Sequence, residues 1–196
     1  MSEDTPDYAL WLDIETTGLG SHDYILEVAT MLTRMTPDFE ELDAFETVIL
    51  NYVSLHNMSE YALNTHARNG LLDEIVAGHG MPLVKAERTI LNMIDQHTKG
   101  LVVLAGSGVS HFDHQFIRTR MPGLHERLTY YDLDIGCVNR LAKLSGIETG
   151  GGDHSHRARM CLRETLDQAR LFGQYFSRCS PKVGPLGDHF TKICQL

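Results

Sequence analysis

Asp13 and Glu15 stand two residues apart inside the otherwise apolar run LWLDIETTGL, residues 10–19. On an extended strand, residues i and i+2 project from one face. Two carboxylates held side by side repel, and burying them unpaired is costly. A cation between them removes both penalties, and hard ions such as Mg²⁺ or Mn²⁺ prefer carboxylate oxygen. In isolation a D-x-E pair also suits a half-exposed edge strand, with one acid facing a lysine. Two further residues favour the metal. Asp113 follows the apolar stretch LVVLAGSG and opens a helix among Phe112, Phe116 and Ile117, where an acid also suits the helix dipole. His156 ends a Gly-rich loop just before a long amphipathic helix. A histidine near its neutral pKa can take a proton from water. Paired divalent ions, roughly 3.5–4 Å apart, stabilise the attacking and leaving oxygens of phosphodiester hydrolysis. Carboxylates plus one histidine are the residue types for that reaction.

These residues need elements to hold them. YALWLDIE reads as a buried strand, and 24–34 and 42–50 as two more, joined by short polar stretches that suit hairpins. A helix is expected over 58–70, with Ser59 as cap and Gly70 as stop. Another spans 82–98, with Pro82 near its first turn and Val84, Ile90, Met93 and Ile94 at helical spacing. Then come a short strand over 101–108, a helix over 110–121, an extended segment over 128–135 and a helix over 136–144. The loop SGIETGGGDHS precedes a helix over 157–176, and the remaining tail, with two Pro and two Gly, reads as an irregular extension. Three leading strands followed by mixed helices and strands predict one α/β domain with a mixed sheet, its core at about 8–176 and an extension over 177–196.

The chain has 196 residues, 42% hydrophobic and 22% charged, which suits one globular domain. A net charge of −9 argues against non-specific coating of long nucleic acid, but not against a short substrate bridged by metal. The four cysteines (Cys137, Cys161, Cys179 and Cys194) show no CxxC spacing and read as reduced thiols of a cytoplasmic protein. The acidic, polar opening MSEDTPDYA is not that of a signal peptide, and no apolar run approaches the ~20 residues of a membrane helix.

WLDIETTGL, HFDHQF and HRARMCLRET resemble the motifs of the DEDDh 3′–5′ exonucleases, which have an RNase H-like fold. MSEYALNTHARNGLL is similar to a stretch distinctive of the oligoribonucleases, which clear very short RNAs. The resemblance runs from about Trp11 to Phe176. It implies that Asp13, Glu15 and Asp113 are metal-binding carboxylates for two Mg²⁺ or Mn²⁺ ions, and that His156 is the general base. It implies that Leu19 wedges between the last two bases and that Tyr61, where the subfamily usually has Trp, stacks on the 3′-terminal base. His66 would approach the substrate near that end. Tyr130 falls near an aromatic contributed by a partner subunit, which implies a homodimer acting on short single-stranded RNA, with no membrane association.

Two departures stand out. The family pattern H-x-x-x-x-D places its fourth acid five residues after His156, where this chain has Cys161. Thiols are poor Mg²⁺ ligands, so one ion should bind weakly, the reaction should slow, and Mn²⁺ or even Zn²⁺ should gain favour. Glu164 is a possible substitute one turn on, about 4.5 Å further along the helix; Asp153 and His154 are weaker ones. The second departure concerns a cap over the substrate's 5′ phosphate. Its Arg and Ser are replaced by Tyr131 and Gly136, which should relax the preference for dinucleotides. Beside an exoribonuclease, two alternatives stand: a catalytically impaired relative that binds short nucleic acid or a partner, and a DNA-directed exonuclease of the same superfamily.

Overall fold

The computed structural model describes residues 6–20, 22–50, 57–147 and 155–179. Asp153, His154, Cys194 and most of the C-terminal tail lie outside those residues, as does most of the Gly-rich loop.

Three strands lead the chain: β1 (Tyr8–Thr16), β2 (Ile25–Arg34) and β3 (Glu41–Val48). They pair antiparallel, as the hairpin reading requires. β4 (Val102–Gly106) and β5 (Leu128–Asp134) add in parallel, giving the order β3-β2-β1-β4-β5. β1 is therefore central, which explains why its sequence is nearly continuously apolar.

The period-2 alternation of β1 sorts its side chains into two layers. Leu10, Leu12 and Ile14 join a core with α3 (Leu83–His97), α4 (Asp113–Arg120) and α5 (Pro122–His125) through Ile90, Ile94, Phe116 and Leu124. Ala9 and Trp11 face the other layer, where α6 (Ile135–Leu144) and α7 (Ala158–Cys179) contribute Ala142, Leu162, Leu166 and Phe172. Asp13 and Glu15 continue this second row, so both acids look toward the start of α7. Trp11 anchors the row, its Nε1 donating to Thr33 Oγ1 at 2.9 Å.

Several boundaries differ from expectation. The helix over 58–70 is α1 (Glu60–Arg68), capped by Ser59 as expected, and Gly70 takes the left-handed conformation at φ 81°. The chain resumes at once as α2 (Leu71–Val76), an unpredicted helix whose Leu71 is buried. Val84 is 73% exposed, and Ala86 joins Ile90, Met93 and Ile94 on the buried face of α3 instead. α7 runs on to Cys179, so residues 177–179 continue the helix rather than starting an extension. Among the described residues, no helix is long and apolar enough to cross a membrane.

Candidate active site

β4 stops pairing with β1 at Trp11, and the N-terminus of α4 enters the space beyond. Asp113 begins α4, and its Oδ1 accepts the Ile14 N–H at 3.2 Å. This buried acid therefore stands beside the backbone between Asp13 and Glu15. α7 approaches from the far side and brings Cys161. One ligand atom from each of Asp13, Glu15 and Cys161 lies within 4.8 Å of the others, the one such group among the described residues. Asp113 and Glu164 line the same cleft without joining that group.

The cleft holds about 850 Å³. Leu19, Tyr61, His66 and His156 also line it, so four dispersed segments converge as the sequence suggested. Leu19 is 80% exposed at the rim, on a turn fixed by Asp23, which accepts from Thr17 Oγ1 and Gly20 N at 2.9 and 2.7 Å. Tyr61 is an exposed ring on α1, with its hydroxyl 3.3 Å from His156 Nε2. His66 is buried, with Nε2 at 3.3 Å from the Thr16 carbonyl and 3.8 Å from Glu15 Oε2. Burial holds its pKa below the usual histidine value. Tyr130 lies away from the cleft on β5, 84% exposed and edge-on to Tyr131.

Sequence reasoning missed two groups. Arg140 and Lys143 on α6 also line the cleft, beside Gly136. Their three-residue spacing is a helical signal, but only the packing of α6 against α7 turns it toward the acids. That packing includes a bond from Asn139 Nδ2 to Gln168 Oε1 at 2.6 Å. The other is Glu27, the antiparallel partner of Glu15 on β2. Arg157 forks onto Glu27, with Nη2 to Oε1 at 2.7 Å and Nε to Oε2 at 3.2 Å.

The electrostatics show what the donor set wants. Burial, then Asp113, Glu15 and Glu27, push the Asp13 carboxyl well above the carboxylate range. Burial and then Glu27 push Glu15 up to about 7. Burial raises Asp113 too, against the N–H bonds it accepts. Burial, followed by the charges of Asp13 and Glu15, pushes the Cys161 thiol up to about 12. Such groups are under strain when ionised together, and a dication relieves all of them. The residues thus fit a divalent ion, with two hard oxygens and one soft sulfur.

The sign of the resulting pH dependence is fixed. Folded Glu15 keeps its proton up to about pH 7, whereas its ordinary value is 4.5. Its contribution to stability is full below the ordinary value and is lost as pH rises through about 7. Without divalent ions, stability should fall from acidic to neutral pH, by up to roughly 3 kcal/mol from Glu15 alone, and the thermal midpoint with it. Added Mn²⁺ should flatten that slope. Calorimetry at several pH values checks it, and a midpoint that climbs across this range without metal contradicts it.

The architecture matches known nucleases. Exonuclease I of E. coli, in complex with single-stranded DNA, aligns with a TM-score of 0.65 at 15% identity over 88% of this chain. Its zinc-bound form aligns at 0.63. The chain spans about two fifths of the length of those exonuclease I chains. The fold is therefore the RNase H-like exonuclease fold. No family model matches the chain. Curated relatives do. An oligoribonuclease of Tropheryma whipplei is 30% identical over 88% of this chain and 95% of its own length. An oligoribonuclease of Mycobacterium leprae is 31% identical over 97% and 88%. The chain belongs to the oligoribonuclease family.

Proposed function

We propose that this protein is a divalent-metal-dependent 3′–5′ exonuclease that shortens small single-stranded oligonucleotides, RNA first, to 5′-mononucleotides. The observation that carries the proposal is the convergence of Asp13, Glu15, Asp113 and His156 on one cleft. Divalent ions held by Asp13, Glu15 and Cys161, with Asp113 beside them, would stabilise charge on the scissile phosphate and lower the pKa of the attacking water. His156 accepts the proton from that water. Leu19 parts the last two bases. Tyr61 stacks on the terminal one, its ring open to the cleft. Arg140 and Lys143 supply cationic contacts for the phosphates behind it, which offsets an otherwise acidic molecule and suits oligomers longer than two nucleotides.

The stack has a measurable size. Base–aromatic stacking is worth about 1–3 kcal/mol, so Tyr61→Ala should raise KM roughly tenfold or more, while Tyr61→Phe keeps KM near the parental value. If Tyr61→Phe raises KM as much as Tyr61→Ala, the hydroxyl rather than the ring is what the substrate uses.

The exposed Tyr130 and Tyr131 on the β5 edge strand, with Leu141 and Leu144 exposed on α6, suit contact with a second copy. Sedimentation across a concentration series tests this; a monomer throughout refutes it. Cytoplasmic residence fits a protein whose Cys137 and Cys161 are free thiols.

Cys161 favours a second reading, in which the protein binds short nucleic acid and turns it over very slowly. Incubation of a labelled diribonucleotide with Mn²⁺ separates the two. Release of 5′-mononucleotide, abolished by EDTA, is expected; binding without release supports the second reading. Matched RNA and DNA oligomers then decide the sugar preference, since the 2′-hydroxyl is the consistent difference.

A further inference from the structure

His156 carries an unusual backbone. Its φ is 50°, and among the described residues only Phe39 shares a positive φ without being glycine. Such a conformation persists when the surroundings over-determine it. Asn69, at the C-terminal end of α1, is the nearest cause. Its Nδ2 donates to the carbonyls of both Ser155, at 3.2 Å, and His156. Its Oδ1 accepts the Leu71 N–H at 3.1 Å, which fixes the amide's orientation. On the other side, Arg157 is tied to Glu27 by its fork and to Glu74 Oε1 on α2 at 2.8 Å. Glu27 Oε2 also accepts the Ala158 N–H at 2.8 Å, the first residue of α7. The residue before His156 and the two after it are therefore each held from the body of the fold, which fixes the backbone from which the imidazole projects, with its Nε2 3.3 Å from the Tyr61 hydroxyl.

We infer that Asn69, together with the Glu27–Arg157 pair, is a clamp that positions His156 for proton transfer without touching the substrate. The inference rests on the reading of His156 as the general base. It assigns to Asn69 a role in the rate of the chemical step, separate from metal and RNA binding. It also explains why a base on a Gly-rich loop keeps a defined geometry: the loop ends on the clamp before α7 begins.

Asn69→Asp isolates the clamp. It preserves the acceptor for Leu71 N–H and removes both donors to the loop carbonyls. The expected result is a kcat lower by roughly 30- to 100-fold, the cost of a misplaced reacting group. Affinity for a short RNA, measured with Ca²⁺ replacing the catalytic ion, stays at the parental value, while the thermal midpoint falls because a carboxylate oxygen now faces two carbonyls. The same substitution is then made in a His156→Ala background and followed in single turnover with enzyme in excess. There Asn69→Asp should cost nothing more, because no imidazole remains to be positioned. An equal loss in both backgrounds overturns the inference, as does an unchanged kcat when His156→Ala alone is severely slowed. If His156→Ala turns over at the parental rate, the general-base reading falls and the clamp with it. Arg157→Lys gives a second reading of the same clamp: it keeps the charge and loses the fork. It should lower kcat with RNA affinity retained; a loss of affinity at unchanged kcat also overturns the inference.

Discussion

Asp13→Ala should lower turnover by on the order of 10³-fold or more, equivalent to about 4 kcal/mol of transition-state stabilisation. The same variant, free of metal, should be more heat-stable than its parent. The two effects have one cause. Asp13 is forced up in pKa by burial and by Asp113, Glu15 and Glu27 around it, so its charge is a burden on the empty fold. That burden becomes an attraction when a dication arrives, because the same carboxylate lies within 4.8 Å of the donors of Glu15 and Cys161. Steady-state kinetics in Mn²⁺ and calorimetry in EDTA read the two halves separately. An Asp13→Ala protein that cleaves at the parental rate refutes the metal site. One that loses both activity and metal-free stability points to a packing role for Asp13.

Cys161→Asp should act in the opposite direction, raising the Mg²⁺-supported rate by roughly 10- to 100-fold. The neutral thiol that its raised pKa implies offers Mg²⁺ little, whereas a carboxylate offers a hard, charged oxygen. The gain should be smaller in Mn²⁺, and smaller still in Zn²⁺, which bonds sulfur well. The extra acid also adds repulsion, so the metal-free variant should melt earlier than the parent. Rates in the three ions decide the matter. A variant no faster than the parent in Mg²⁺ means another group already serves as ligand. Glu164, on the same cleft wall, is then the residue to replace, by Glu164→Gln.

Much of this site is legible in the chain because its strongest signals are local. The D-x-E pair lies on one strand, where residues two apart share a face. Ser59, Gly70 and Pro82 mark helix ends through their own chemistry: Ser59 accepts the Ala62 N–H, Gly70 takes the left-handed conformation, and Pro82 has no N–H to satisfy. Val84 misled because helical spacing defines a stripe, and small Ala86 proved to be the residue the sheet accepts at the close approach. α2 was missed because it is only six residues long and held by one buried leucine and its neighbours. Glu27, Asn69, Arg140 and Lys143 carry no periodicity of their own that points to a site. Their meaning comes from partners 130 residues away for Glu27 and 86 and 87 residues away for Asn69, and from the seating of α6 in the others. Tertiary contact, rather than spacing, makes them functional candidates.

The departure at residue 161 was visible in the sequence as a mismatch, and its consequence is now geometric. The Cys161 sulfur lies within 4.8 Å of a carboxylate oxygen of both Asp13 and Glu15, a grouping that Glu164 does not join.

The most direct measurement uses a 5′-end-labelled pentaribonucleotide with Mn²⁺, in two forms: one with a free 3′ hydroxyl and one with a blocked 3′ end. The expected result is a ladder losing one nucleotide at a time from the free 3′ end, no products from the blocked form, and none from either after chelation. Cleavage that starts inside the chain, proceeds from the 5′ end, or continues in EDTA would contradict the metal-dependent 3′–5′ mechanism at its root.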